Sequence, residues 1–220
     1  MIERARILEQ MIINEPGVMD GEDVHHELAG GGHGRKLALK EIPQESDTYR
    51  YLIETEAQTI SELYDPLPDV IIGMANSANR IARDTVGVLE ADVELIDTEK
   101  NRFGHVVPTY AGRVLLRRLG PEFALVIEDV GTTGRTVAKF IEKLEIKYSI
   151  PRIEALFTWQ RQPELTVLDR RGIAHNSIIN TELKTYRSEK ECKNDPDGYC
   201  YNNIQLLKRK AKHKRNEEPK

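Results

Sequence analysis

Residues 123–144 read FALVIEDVGTTGRTVAKFIEKL. A short apolar run, Phe123 to Ile127, ends in two adjacent carboxylates, Glu128 and Asp129. Glycines and threonines follow, and then a segment whose apolar residues recur at helical spacing. This is a buried strand, a tight small-residue turn and an amphipathic helix. The same alternation extends in both directions. DVIIGM (69–74) reads as a strand and SANRIARDTVGVL (77–89) as the helix after it. DVELIDTE (92–99), RIEALFTWQR (152–161) and IAHNSIIN (173–180) read as further strands, and ELTVLDRRG (164–172) as helical or mixed. Short apolar strands alternating with helices predict an α/β fold, an open mostly parallel sheet flanked by helices. Ligands of such sheets bind beyond the carboxyl ends of the strands. Segments 73–80, 98–112 and 128–136 leave that edge.

The rest of the chain frames this unit. Residues 2–13 have helical spacing, and 46–64 read as a helix opened by a Ser46 or Asp47 cap and stopped by DPLP. Between them lies a Pro-, Gly- and Asp-broken stretch expected to be loop with one short helix, then RKLALKEI (35–42), expected to be a short strand. TEKNRFGHVVPTYAG (98–112) is polar and interrupted by Gly and Pro, so a mobile loop is expected there.

Chemistry concentrates in 128–136. A turn between strand and helix presents backbone N–H groups that no helical carbonyl accepts. Gly131 and Gly134 permit positive φ and close backbone approach, and Thr132, Thr133 and Thr136 add hydroxyl donors. Helix dipole and free donors together favour an anion, most naturally a phosphate. The Walker pattern is absent. Glu128 and Asp129 would repel a phosphate beside them, so they face something else: vicinal sugar hydroxyls, or Mg²⁺. A phosphate with two hydroxyls next to it describes a ribose 5-phosphate.

Bulk properties bound the alternatives. The 220 residues include 31% charged and 39% hydrophobic types, ordinary for a soluble domain, with a net charge of −4. No apolar run approaches a membrane span. The basic KRKAKHKR (208–215) is expected to be a solvated end or a weak RNA contact. Without 208–220 the body carries 25 bases against 34 acids, which argues against nucleic acid. Cys192 and Cys200 flank a turn that would permit a bridge, but two cysteines and no secretory segment favour thiols in a reducing cytoplasm. His25, His26 and His33 are too loosely spaced to claim a metal, and Trp159 reads as core or pocket wall.

LVIEDVGTTGRT resembles the phosphoribosyl-pyrophosphate signature of the type I phosphoribosyltransferases, most of all the orotate enzymes. The resemblance implies that Glu128 and Asp129 hold ribose hydroxyls and Mg²⁺, with Asp129 catalytic. It implies that Gly131, Thr132, Thr133, Gly134, Arg135 and Thr136 hold the 5-phosphate, with Val130 also at the donor. DVIIGMANSANRIA is similar to the family's pyrophosphate loop, placing Met74, Ala75, Asn76 and Ser77 there, although NSAN stands where many members have consecutive glycines. TEKNRFGH occupies the place of the catalytic loop, with Lys100, Arg102 and His105 as its cations. FTWQRQPEL is similar to the orotate-binding segment, which implies base-site roles for Arg161 and for Thr132.

The implied organisation is a catalytic domain over 1–190, with 1–45 and 150–190 forming a hood, and a polar and basic tail over 191–220. The implied activity is transfer of a phosphoribosyl group to a nucleobase, orotate favoured, with release of pyrophosphate, in pyrimidine biosynthesis or salvage. The implied assembly is a cytoplasmic homodimer, because in the orotate enzymes the loop serves the neighbouring subunit. A non-catalytic sensor of the same donor is the alternative.

Overall fold

The fold is taken from a computed structural model, which describes residues 2–19, 24–27, 33–34, 37–75, 77–89, 91–162, 166–183, 185–186, 189–193 and 199–200. At 24–27, 33–34, 166, 185, 189, 193 and 199–200 only the backbone is described. The chain forms two compact units, one from Met1–Glu15 with Leu39–Glu182, the other from Pro16–Ala38 with Leu183–Lys220.

The larger unit begins with α1 (Ile2–Asn14). In the smaller unit come β1 (Val24–Glu27) and β2 (His33–Gly34). The larger unit continues with α2 (Asp47–Leu63), β3 (Val70–Gly73), α3 (Ser77–Val88), β4 (Glu94–Ile96), β5 (Thr98–Lys100), β6 (Val106–Pro108) and α4 (Tyr110–Leu119). It then runs through β7 (Phe123–Gly131), α5 (Arg135–Tyr148), β8 (Arg152–Gln160), α6 (Thr166–Arg170) and β9 (His175–Asn180). The smaller unit closes the described chain with β10 (Thr185–Tyr186), α7 (Glu189–Lys193) and β11 (Tyr199–Cys200).

The main sheet runs β4-β3-β7-β8-β9, every pair parallel. Its strands are continuous apolar runs because both faces are covered. Val70, Ile71, Ile72 and Ala124 to Ile127 are fully buried. Chain order decides where a crevice opens. From β3 the chain steps outward to β4, then returns across β3 to β7 and continues to β8 and β9. Right-handed crossovers place the helices of the two directions on opposite faces, so the strand order reverses between β3 and β7. α3 packs on β3 and β7, with α2 against it, while α5 packs on β7 and β8.

Ser46 caps α2, its Oγ accepting from Tyr49 N at 3.1 Å. RKLALKEI departs from expectation. Leu37 forms an isolated bridge with Met19, and Leu39–Glu41 is a 3₁₀ turn. Arg80 fixes that turn by donating to the carbonyls of Leu39 and Ile42, both at 3.2 Å. The broken stretch before it contains β1 and β2, which join β10 and β11 in a four-stranded sheet, and no helix is found among its described residues. Segment 98–112 is not a structureless loop either. It forms the β5–β6 hairpin and the first turn of α4, capped by Thr109. Residues 201–220, which include the basic stretch, lie outside the described residues.

Candidate active site

The acid pair stands at the end of β7, where the strand order reverses. Met74 N donates to Ile127 O at 2.8 Å, which holds the exit of β3 against β7 just before the acids. Glu128, Asp129 and Val130 are half-buried. Asp129 is held on two sides: Val130 N donates to Oδ1 at 2.8 Å, and the Ser77 hydroxyl donates to Oδ2. The second bond joins the first residue of α3 to the acid pair. Segments 73–80 and 128–136 therefore meet through a side-chain contact.

Beyond the acids the chain turns tightly. Gly131 lies so close to β8 that a Cβ would stand 2.5 Å from Cδ1 of Phe157. Gly134 has φ +67°, the left-handed region, and caps α5 without a side-chain hydrogen bond. The first turn of α5 thus points backbone donors outward, with only a weak 3.5 Å bond from Arg135 N to Thr133 Oγ1. Thr132 is half-buried, and Thr133, Arg135 and Thr136 are exposed. The glycines have separate reasons: close packing at 131, positive φ at 134.

Electrostatics mark the same place. Glu128 is pushed well above the ordinary carboxylate range, first by burial and then by the charge of Asp129 and a hydrogen bond with it, while Lys100 acts in the opposite sense. A third acid lies behind the pair. Glu56, on α2, is fully buried and raised to about 8, first by burial and further by Asp129, with the Thr158 hydroxyl opposing. Thr158 Oγ1 donates to Glu56 Oε2 at 3.2 Å, and Glu56 Oε1 has no hydrogen-bond partner among the described residues. The β7–β8 register pairs Glu128 with Phe157 and Val130 with Trp159, which puts Asp129 abreast of Thr158. Glu56 was not among the residues singled out in the sequence, although the pattern carried a signal. Tyr49, Leu52, Ile53, Glu56, Ala57 and Ile60 form one buried helical stripe in which Glu56 is the only acid.

The remaining expected residues fall in several elements. Met74 is buried and Ala75 half-buried, while Asn76 lies outside the described residues. Lys100, Arg102 and His105 are exposed on the β5–β6 hairpin, Arg102 stacking over Phe103 at 4.7 Å. Arg161 is buried, and its N–H donates to Gly131 O at 2.9 Å, tying the exit of β8 to the start of the glycine–threonine turn. Pro163 and Glu164 lie outside the described residues. Trp159 is fully buried in β8, its Nε1 donating to Thr181 O at 3.4 Å, a core position. The side chains of His25, His26, His33 and Cys200 are not among those described, and Cys192 is buried in α7.

Known structures share this architecture. Orotate phosphoribosyltransferase from Aeropyrum pernix matches with a TM-score of 0.57 at 18% identity, over 80% of this chain and 92% of that one. A phosphoribosyltransferase from Corynebacterium diphtheriae matches at 0.59 and 13% identity, over 81% and 96%. The chain has the phosphoribosyltransferase fold. The Mycobacterium tuberculosis H37Rv orotate phosphoribosyltransferase, solved in complex with 5-phospho-α-D-ribosyl 1-diphosphate, matches at 0.55 and 13% identity, over 81% and 96%. No protein-family model and no curated protein matches the chain by sequence. Within the phosphoribosyltransferase fold, the acid pair and the glycine–threonine turn occupy the carboxyl edge of the central strand β7.

Proposed function

We propose that this chain transfers a phosphoribosyl group from 5-phosphoribosyl 1-diphosphate to a nucleobase, orotate favoured, and releases pyrophosphate. One observation carries the reading. A carboxylate pair and an uncapped helix N-terminus follow one another on β7 at the switch point of the sheet, with Ser77 joined to the pair. That arrangement offers acceptors for two sugar hydroxyls beside donors for a phosphate. Gly131 through Thr136 would receive the 5-phosphate, and Met74, Ala75, Asn76 and Ser77 would line the pyrophosphate. Arg161 and Thr132 would face the base, a planar guanidinium suiting the carboxylate of orotate.

The donor set suits a hard cation: two adjacent carboxyls, one of them held high by burial and then by its neighbour's charge. Among the described residues no group of three or more His, Cys, Asp or Glu is placed to hold a metal ion, so Mg²⁺ held by Glu128 and Asp129 would share its shell with ligand and water oxygens. Such an ion would neutralise charge on the pyrophosphate. The chain's own part is to position the reactants and balance charge. The C1–O bond breaks with its electron pair leaving on pyrophosphate. The base nitrogen forms the new C1–N bond, and its proton passes to water. Dependence on Mg²⁺, a homodimer and a cytoplasmic setting belong to the same proposal.

The test is pyrophosphate release from the donor with Mg²⁺ and a panel of bases. Turnover with orotate, lost in Asp129→Asn with the fold retained, is expected. Donor binding without turnover on any base would replace the enzyme by a sensor of the same ligand, and absence of donor binding would overturn both.

A further inference from the structure

A basic and aromatic strip runs from the β5–β6 hairpin onto α4. Residues 99–119 hold five Lys and Arg against one acid, Glu99, so this stretch carries +4 in a chain whose total is −4. The whole-chain balance conceals that segregation. Apolar exposure gathers in the same place. Of the nine exposed large apolar side chains among the described residues, four fall within 103–119: Phe103, Tyr110, Val114 and Leu119. Phe103 is 68% exposed and Tyr110 75%, so neither ring serves the core. Exposed apolar groups that cluster mark a contact surface.

Helix geometry builds the strip. Gly112 and Leu116 are buried, and a Cβ on Gly112 would stand 3.0 Å from Cγ2 of Ile96, so this side of α4 lies against β4. Tyr110, Val114, Arg117 and Arg118 recur at helical spacing on the opposite side, and all four are exposed. Arg117 and Arg118 form no ion pair among the described residues. Each exposed ring has a guanidinium beside it. Arg102 lies 4.7 Å from the Phe103 centroid, and Arg113 lies 5.9 Å from that of Tyr110. Arg113 is fixed there, its Nη1 donating to Pro108 O on the return strand of the hairpin at 2.9 Å. The turn that carries Phe103 is fixed too, Asn101 Oδ1 accepting from Phe103 N at 2.9 Å and from His105 N at 3.1 Å. Thr109 caps α4 directly after β6, so the helix begins where the hairpin ends.

Charge chooses the occupant. In a twofold dimer on this face the strip would meet its own copy, and with five bases to one acid that contact repels itself. An anionic polymer is attracted. A duplex offers phosphates to the arginines but keeps its base faces within the stack. A single strand offers both, phosphates for the cations and base faces for the rings. We infer that the β5–β6 hairpin and the outer face of α4 bind single-stranded nucleic acid, with Phe103 and Tyr110 as stacking platforms and Arg117 and Arg118 on phosphates. This goes beyond the transferase reading, and its test uses residues outside that site.

The experiment is fluorescence anisotropy of a labelled single-stranded oligonucleotide with the full chain over a salt series. An abasic strand of the same length and the corresponding duplex serve as competitors. Residues 208–215 are basic as well and are present in every variant, so differences between variants belong to the strip. Tyr110→Ala is expected to weaken binding about tenfold, the loss of one stacked base, while Tyr110→Phe keeps the ring and the affinity. Arg117→Ala together with Arg118→Ala is expected to lower the slope of log Kd on log salt by ~1.4, at ~0.7 for each phosphate contact on a single strand. Circular dichroism identical to wild type shows that the variants fold. An abasic strand or a duplex that competes as well as the oligonucleotide overturns the inference. So does an affinity and salt slope unchanged in the α4 variants, which would leave 208–215 as the binding element. Variants that change the mass of the protein in sedimentation, and not its affinity for the strand, place a copy of the chain on this face and overturn it too.

Discussion

Replacing Glu56 by Gln removes a buried acid while keeping its shape, and the consequence for stability depends on pH. Glu56 is fully buried with one hydrogen bond, from Thr158, and burial holds it at about 8, against an ordinary value of 4.5. Asp129 adds to the rise. In the unfolded chain the same group has lost its proton by pH 6. Between those two values the folded state therefore binds one proton more than the unfolded state. Stability is fully present below the unfolded value and is lost as pH rises through the folded one, at ~1.4 kcal/mol per pH unit. From pH 4.5 to pH 7 the loss amounts to roughly 3 kcal/mol, a large share of the stability of a typical domain.

Gln resembles the protonated acid and has no such term. Glu56→Gln should match wild type near pH 4.5 and exceed it by roughly 3 kcal/mol at pH 7. Urea unfolding of both proteins at half-unit steps of pH measures the difference directly, and the other carboxylates cancel in the comparison if the slope on urea is unchanged. In Asp129→Asn the smaller of the two contributions to the rise disappears, so the pH slope attributable to Glu56 should end at lower pH. A Glu56→Gln advantage that stays constant from pH 4.5 to 8 would refute the assignment of a protonated buried acid beneath the pair.

Two further outcomes follow from the geometry of the same site. Gly131→Ala places a Cβ 2.5 Å from the ring of the fully buried Phe157, so ~1–3 kcal/mol of stability should be lost to overpacking, read as a lower urea midpoint; an unchanged midpoint would contradict the packing described. Ser77→Ala removes the hydroxyl bonded to Asp129, and from the ~1.5–3 kcal/mol of a hydrogen bond to a charged group donor binding should weaken about tenfold to a hundredfold, measured by titration calorimetry with Mg²⁺; unaltered affinity would separate Ser77 from the binding role of the acid pair.

Legibility in the sequence followed the range of the interactions. β7, its two acids, the glycine–threonine turn and α5 are contiguous, and each is specified by its own residues: β-branched and apolar types for a strand covered on both faces, then Gly134 where φ is positive. The β5–β6 hairpin was not legible. Its strands are three residues each, too short for periodicity, and they form because Asn79 and Gly73, from an earlier part of the chain, bind Thr98. RKLALKEI failed as a strand for a related reason, since Arg80 on α3 fixes the carbonyls of Leu39 and Ile42 in a turn. Glu56 was visible as an acid on an apolar helical stripe, but its relation to Asp129 required α2 to meet the sheet, where Thr158 of β8 is bonded to Glu56.

By itself the sequence determined the α/β class and the chemistry gathered at one strand end, because strand, acids, turn and helix are written within 22 consecutive residues. Only the tertiary structure decided that Ser77 is bonded to Asp129, that a third carboxyl lies behind the pair, and that Asn79 on α3 is bonded to Thr98 at the root of the β5–β6 hairpin. Those relations join residues far apart along the chain, and local propensity contains no term for a contact that exists only once the sheet has ordered its strands.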